Sequence, residues 1–116
     1  MPVFLLNTNV KDIPASLKKE ITDVVSSSLG KPVSYIAVQI NYQPNMSFGG
    51  TEEPLALCDL SSIGALSKEA NKNHSKALMQ LLKQRLNINS SRIYINFHNL
   101  EKANVGFRDT TFDDLM

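Results

Sequence analysis

The chain has 116 residues, 42% of them hydrophobic, which is the size and composition of one ordinary globular domain. Its net charge of +1 argues against the basic surface that nucleic-acid binding requires. No apolar run approaches the ~18 residues of a membrane-spanning helix, so we expect no membrane insertion. Cys58 is the only cysteine, which excludes an intrachain disulfide and favours a small buried thiol over a reactive one, in a reducing compartment.

The chain begins MPVFLLNTNV, and its apolar residues predict a buried strand over residues 3–10. This run is too short and lacks the basic start of a cleaved signal peptide. Pro2 has two interpretations. It is tolerated as the first residue of a strand, although it has no N–H donor. If Met1 is removed, which a small second residue permits, Pro2 carries a free secondary amine that can act as a base or a nucleophile.

Apolar residues at helical spacing predict a helix over residues 12–29, beginning at the N-cap Asp12 and ended by Gly30. The β-branched and aromatic residues 34–42 then predict a second strand. Lys31, between the two elements, is either a cation favoured at the C-terminal end of the helix dipole or a functional cation.

The second half repeats this order of elements. Residues Leu55–Ile63 predict a strand, a helix follows from the cap residue Ser67 to residue 86, and the alternating residues 90–100 predict another strand. The chain therefore contains two βαβ pseudo-repeats, at about residues 2–50 and 54–105, within one domain covering residues 1–116.

Two βαβ units predict an α+β fold: a four-stranded mixed sheet with both helices on one face. We expect the other face of the sheet to be apolar and uncovered. Such a face, together with open sheet edges, requires a partner. The sequence therefore predicts a homo-oligomer of cyclic symmetry, with the uncovered faces lining its interior.

Four segments, in order, span nearly the whole chain: MPVFLLNTNV, GKPVSYIAV, SFGGTEEPLALCDLSSIG, and RIYINFHNLEKANVGF followed by TTF. Through them the sequence resembles the macrophage migration inhibitory factor family of the tautomerase superfamily. The resemblance implies a homotrimer with the helices outside, the sheets around a central channel, and active sites between neighbouring subunits.

The resemblance also implies a keto–enol tautomerase of the phenylpyruvate or dopachrome type, with Pro2 as the general base after loss of Met1 and with no metal or cofactor. A base for this reaction must titrate near the working pH, and burial or a nearby cation lowers the pKa of an amine. Lys31 is the candidate cation, and it can also bind the carboxylate of a small aromatic keto acid.

The remaining substrate-binding residues follow from the same resemblance. Ser62 and Ile63 form part of the pocket wall, while Tyr94 and Asn96 reach in from the adjacent subunit. Asn96 can bind a carboxylate or carbonyl, but it also suits a turn at a sheet end, and Tyr94 also suits an interface. The whole substrate-binding set is Lys31, Tyr35, Ser62, Ile63, Tyr94, Asn96, Val105, Phe107 and Phe112.

Some features depart from the family pattern. Phe107 replaces a common tryptophan, residues 55–58 (LALC) lack the first cysteine of a CxxC, and the C-terminal DDLM has no assigned role. His74 and His98 lack partners at metal-ligand spacing, so we expect no metal site.

Two other functions stay open. One is a secreted immunomodulator that binds a cell-surface receptor and has a vestigial pocket, and the other is a small interaction domain. For the family-like protein we expect a cytoplasmic location and secretion without a cleaved signal peptide.

Overall fold

The computed structural model describes residues 1–116, which form six strands and three helices. The strands are β1 (Val3–Thr8), β2 (Ala37–Tyr42), β3 (Ala56–Ser62), β4 (Ile93–Asn99), β5 (Gly106–Phe107) and β6 (Thr110–Thr111). The helices are α1 (Leu17–Leu29), α2 (Lys68–Leu86) and α3 (Phe112–Leu115). Short 3-10 turns occur at Val33–Tyr35, Ser90–Arg92 and Lys102–Asn104. No helix combines the length and the apolar content needed to span a bilayer.

The main sheet has the strand order β2-β1-β3-β4. β1 and β2 are parallel, as are β3 and β4, and the two pairs join through antiparallel β1 and β3. Val3 lies opposite Ser61 at this central junction. The arrangement confirms the predicted α+β class and the duplicated βαβ units, each with its helix between parallel strands.

Both long helices pack on the same face of the sheet, because each strand alternates its side chains between the two faces. β1 buries Phe4 and Leu6 on this face, and β3 buries Cys58 and Leu60. α1 contributes buried residues at four-residue spacing and α2 contributes a leucine stripe. The core residues from the helices are Leu17, Ile21, Val25, Leu29, Leu78, Leu81, Leu82 and Leu86.

The start of α1 differs from the prediction. The helix begins at Leu17 and its N-cap is Ser16, so the assignment of the cap to Asp12 is wrong. Pro14 explains the difference, since a proline disfavours helical geometry in the residue before it. Its carbonyl accepts from the Leu17 N–H at 3.1 Å, forming a turn that precedes the helix. The Ser16 hydroxyl donates to Glu20 Oε1 at 2.9 Å.

Other helix ends agree with the sequence. Gly30 ends α1 in the left-handed conformation at φ 66°, which glycine adopts without a Cβ penalty. The Ser67 hydroxyl accepts from the Ala70 N–H at 3.1 Å and caps α2.

Two strands are shorter than the sequence predicts. The second strand begins later because Tyr35 donates its N–H to Pro32 O in a 3-10 turn. The first strand ends at Thr8, whose hydroxyl donates to Leu55 O at 2.7 Å.

The uncovered face of the sheet is largely polar, so the expectation of an apolar face is wrong. The residues of this face alternate along each strand with the buried residues. A few of them are apolar, such as Leu5 and Leu57, but most are polar. On this face His98 Nε2 lies 2.8 Å from Asp59 Oδ1. The polar residues of this face are Asn7, Gln39, Asn41, Asp59, Ser61, Tyr94, Asn96 and His98. The structural argument for a partner therefore rests on the open edges β2 and β4.

Candidate active site

A cavity of about 260 Å³ lies where the C-terminal segment meets the start of the chain and the turn after α1. Most of its walls are hydrophobic, and its lining includes no Asp or Glu. A mainly apolar cavity with a few polar groups is typical of a small-molecule site. The lining residues are Met1, Lys31, Pro32, Tyr35, Phe107, Arg108, Phe112, Leu115 and Met116.

Three aromatic rings form one side of this cavity. The rings of Phe107 and Phe112 stack with centroids 5.0 Å apart and planes 4° from parallel. Tyr35 meets Phe107 edge-on at 6.1 Å. The Phe112 N–H donates to Val105 O at 3.1 Å, which places Val105 behind the stack. The structure therefore brings together the predicted residues Tyr35, Phe107 and Phe112, with Val105 as a support.

A tight hairpin holds this stack in place. β5 and β6 pair through Phe107 and Thr110, and the two residues between them have positive φ, 51° at Arg108 and 64° at Asp109. Such a two-residue turn suits the right-handed twist of the paired strands. It returns the chain so that Phe112, at the start of α3, lies on Phe107.

Lys31 is held at the cavity by the end of α1. The N–H groups of Gly30 and Lys31 both donate to Ser26 O, at 2.9 Å and 3.2 Å. The Ser26 hydroxyl donates to Lys31 O at 2.6 Å. These bonds fix the backbone from which the lysine side chain extends to the cavity.

The N-terminal amine of Met1 lies beside this cation. Burial lowers the pKa of the Met1 amine, and the positive charge of Lys31 lowers it further. A lowered pKa increases the neutral fraction of an amine near neutral pH, and only the neutral form can accept a proton. This end of the cavity therefore favours the neutral, unprotonated form of the N-terminal amine.

Pro2 itself is fully buried, and its carbonyl accepts from the Ala37 N–H at 3.1 Å. One step beyond the Val3–Ser61 pair, the antiparallel register places Pro2 opposite Ser62. Ser62 is 0% exposed and its Oγ has no hydrogen-bond partner, while Ile63 is also buried. None of the predicted residues Pro2, Ser62 and Ile63 lines the cavity while Met1 is present.

Tyr94 and Asn96 lie away from the cavity, on the uncovered face of β4. The Tyr94 side chain is 62% exposed and its ring lies 4.7 Å from that of Phe48. One subunit therefore does not bring these two residues to Lys31. The expectation that they enter the site of a neighbouring subunit stays a prediction.

Besides Met1, four lining residues were not predicted from the sequence: Pro32, Arg108, Leu115 and Met116. The Arg108 guanidinium lies over the Phe107 ring, 4.9 Å from its centroid. Leu115 and Met116 belong to the DDLM segment, which had no assigned role. Their spacing of three and four residues from Phe112 is the helical pattern that could have indicated a shared face.

The structure has no cluster of three or more His, Cys, Asp or Glu side chains that could hold a metal ion. Cys58 is buried in the core, as predicted. Burial, and then the charge of Asp59, raise the pKa of the Cys58 thiol to about 12, which keeps it protonated. His74 is also buried, between Ser28 of α1 and the carbonyl of Ala65.

The chain matches the family model described as macrophage migration inhibitory factor (MIF) over residues 1–113. It is 43% identical over 114 residues to the macrophage migration inhibitory factor of Rattus norvegicus, covering 97% of this chain and 99% of that protein. The fold is similar to the solved structure of the Trichinella spiralis macrophage migration inhibitory factor, with a TM-score of 0.92 and 41% identity, covering 95% of this chain and 99% of that one. A homologue from Prochlorococcus marinus matches with a TM-score of 0.90 and 28% identity, covering 95% and 98%.

Proposed function

Because the chain belongs to the macrophage migration inhibitory factor family, we propose that it is a cytokine-like protein and an isomerase that tautomerises small aromatic keto acids such as phenylpyruvate, or dopachrome-type compounds. One observation carries the catalytic part of the proposal. An N-terminal amine with a lowered pKa lies beside Lys31 at a cavity with aromatic walls. Removal of a proton next to a carbonyl requires such a base.

The base in this proposal is Pro2, which gains the free amine once Met1 has been removed. Pro2 is the more buried of the two residues, so its neutral amine is favoured by the same physical effect that acts on Met1. In the keto-to-enol direction, the Pro2 nitrogen takes a proton from the carbon next to the carbonyl. The carbon–carbon double bond forms, the carbonyl oxygen takes a proton from water, and Pro2 returns its proton to solvent.

Lys31 and the aromatic stack orient the substrate. The ammonium group of Lys31 pairs with the carboxylate of the keto acid, which places the carbon to be deprotonated near the amine. The substrate ring packs against Tyr35, Phe107 and Phe112, where apolar and edge-to-face contacts favour an aryl group. The reaction requires no cofactor in this scheme, because a neutral amine and water supply all the proton transfers.

The active unit in this proposal is a homotrimer. The open edges β2 and β4 are available for pairing with neighbouring subunits, and Tyr94 projects from the uncovered face of β4. In the trimer Tyr94 and Asn96 complete the pocket of a neighbour. The same proposal places the protein in the cytoplasm and, by export without a cleaved signal peptide, outside the cell.

A second function is supported by the family itself. The relatives named above carry the name of a migration inhibitory factor, which favours binding to a cell-surface receptor. The pocket would then be present without physiological use. Pocket variants separate the two functions, since receptor binding that survives the loss of turnover assigns signalling to another surface.

The test of the catalytic proposal is an intact mass of the purified protein combined with a phenylpyruvate tautomerase assay over a range of pH. We expect a mass lower by one methionine, and activity that rises with pH through an apparent pKa near neutrality. Protein without Met1 and without turnover would refute the proposed reaction and favour receptor binding.

A further inference from the structure

The cavity carries two cations that this subunit does not neutralise. Lys31 and Arg108 both line it, and the lining contains no acidic side chain. The C-terminal residue Met116 also lines the cavity, but its carboxylate pairs with neither cation. The ion pairs of the structure, defined by nitrogen–oxygen distances up to 4.0 Å, involve neither residue. The basic members of those pairs are Lys19, Lys72, Arg85 and His98. The two unpaired cations therefore share one cavity.

Arg108 is directed to the cavity by its contacts. Its guanidinium lies 4.9 Å from the centre of the Phe107 ring, and Phe107 is in turn stacked on Phe112. A guanidinium placed over a ring keeps its N–H donors at its edge, where they can bind the two oxygens of a carboxylate. The hairpin that contains Arg108 thus presents an oriented anion-binding group.

One cation suffices for a substrate with one carboxylate. In the proposed tautomerase reaction Lys31 has that role, which leaves the charge of Arg108 without a counterpart. Lys31 is half-buried and Arg108 is exposed, so solvent reduces the repulsion between them, and a ligand with two negative groups removes the repulsion that is left.

We propose that the cavity selects aromatic ligands with two anionic groups, one bound by Lys31 and the other by Arg108. The assignment of the keto-acid carboxylate to Lys31 rests on the proposed function, whereas the second anionic group is inferred from Arg108 alone. The substrate class is then an aryl keto acid whose ring carries a further carboxylate.

The test compares two probes that differ by one charge: terephthalate, with two carboxylates, and its monomethyl ester, with one. Calorimetry with the full chain gives the affinity of each. We expect terephthalate to bind at least about tenfold more tightly, the difference that one charge-assisted hydrogen-bond pair contributes. Arg108→Gln removes most of this ratio.

Lys76→Gln is the matched control, because it also removes one positive charge but lies on α2, outside this cavity. It should leave the ratio intact. Equal affinity for the two probes, absence of terephthalate binding, or a ratio that survives Arg108→Gln would each overturn the proposal. Selective terephthalate binding without phenylpyruvate turnover, by protein that has lost Met1, would support the two-anion site and refute the proposed reaction. Phenylpyruvate turnover without preference for terephthalate would support the proposed reaction and overturn the two-anion site.

Discussion

The Arg92 side chain contacts both the backbone carbonyl and the aromatic ring of Phe48. The Arg92 Nη1 donates to Phe48 O at 3.1 Å, and the guanidinium lies 5.4 Å from the centre of the Phe48 ring. The same guanidinium donates to three other carbonyls of the loop before β3. These carbonyls belong to Thr51, Glu53 and Pro54. One side chain therefore closes the loop and supports the ring on which Tyr94 packs.

We expect Arg92→Met to lower the free energy of unfolding by about 1–2 kcal/mol, because charged donors to several carbonyls are lost together. Amide exchange should become faster in residues 43–54 before it changes elsewhere. Hydrogen-exchange mass spectrometry measures both effects. Arg85→Met is the control, since it removes an arginine that holds only the exposed pair with Glu20. Equal exchange in the two variants would show that Arg92 does not anchor the loop.

Replacing Pro2 with glycine tests the proposed base. With Met1 removed, we expect Pro2→Gly to lower kcat/KM for phenylpyruvate by about a hundredfold, the lower range of general-base catalysis. The glycine amine is primary and its backbone is free to rotate, so it is poorly positioned. Pro54→Gly is the control, because Pro54 precedes the first strand of the second βαβ unit. Unchanged turnover in Pro2→Gly excludes Pro2 as the base.

Lys31 should control the pH dependence of turnover. Its charge lowers the pKa of the nearby N-terminal amine, so its removal allows the amine to hold its proton to higher pH. The neutral amine is the active form. We therefore expect Lys31→Met to move the acidic limb of kcat/KM against pH toward higher pH, in addition to a rise in KM.

A pH series with wild type, Lys31→Met and Lys76→Met measures this shift. The remote Lys76 changes the net charge equally and should leave the limb in place. A limb that stays unmoved in Lys31→Met, with only KM altered, would limit Lys31 to substrate binding.

Leu115 and Met116 should contribute to substrate affinity without supporting the fold. They line the cavity, yet their side chains are 45% and 61% exposed. Deleting both should raise KM for phenylpyruvate about two- to tenfold through lost apolar contact, with little change in Tm. Met116→Leu keeps the apolar volume and should keep KM. An unchanged KM in the deletion would show that Leu115 and Met116 do not contact the substrate.

Cys58 should resist thiol reagents while the protein is folded. Burial raises its pKa to about 12, so the thiol stays protonated at pH 8. Labelling with iodoacetamide should be slow in the native state and fast in denaturant. Because the folded pKa exceeds that of the unfolded thiol, its contribution to stability is complete below the ordinary thiol pKa and is lost as pH rises toward 12. Rapid native labelling would contradict this burial.

The sequence predicted the elements whose signals are local. Ser67 and Gly30 could be assigned as caps because a side-chain acceptor and a left-handed backbone each act within one turn. The start of α1 was misplaced because Pro14 outweighed the apolar periodicity that extends back to Ile13. Local sequence signals therefore predict the presence of a helix or strand more reliably than its first residue.

The candidate site was predictable only where family resemblance or residue type pointed to it. Lys31, Tyr35, Phe107 and Phe112 meet at one cavity, as expected. Arg108 could not be found in the same way, since its position depends on a hairpin turn with two positive φ values. The polarity of the uncovered sheet face was misjudged because the apolar positions of each strand were not assigned to a face.

The central pairing of β1 with β3 also sets how the chain can fold. β1 is synthesised first, but its antiparallel partner lies in the other half, with Val3 opposite Ser61. Neither half can cover both edges of its first strand by itself. Contacts so distant along the chain carry a large loop-closure cost, which slows the search for the native arrangement. The second edge of the amino-terminal strand, which follows the proposed base, is therefore paired only when the two halves assemble, so that truncated chains should lack the complete sheet and the site.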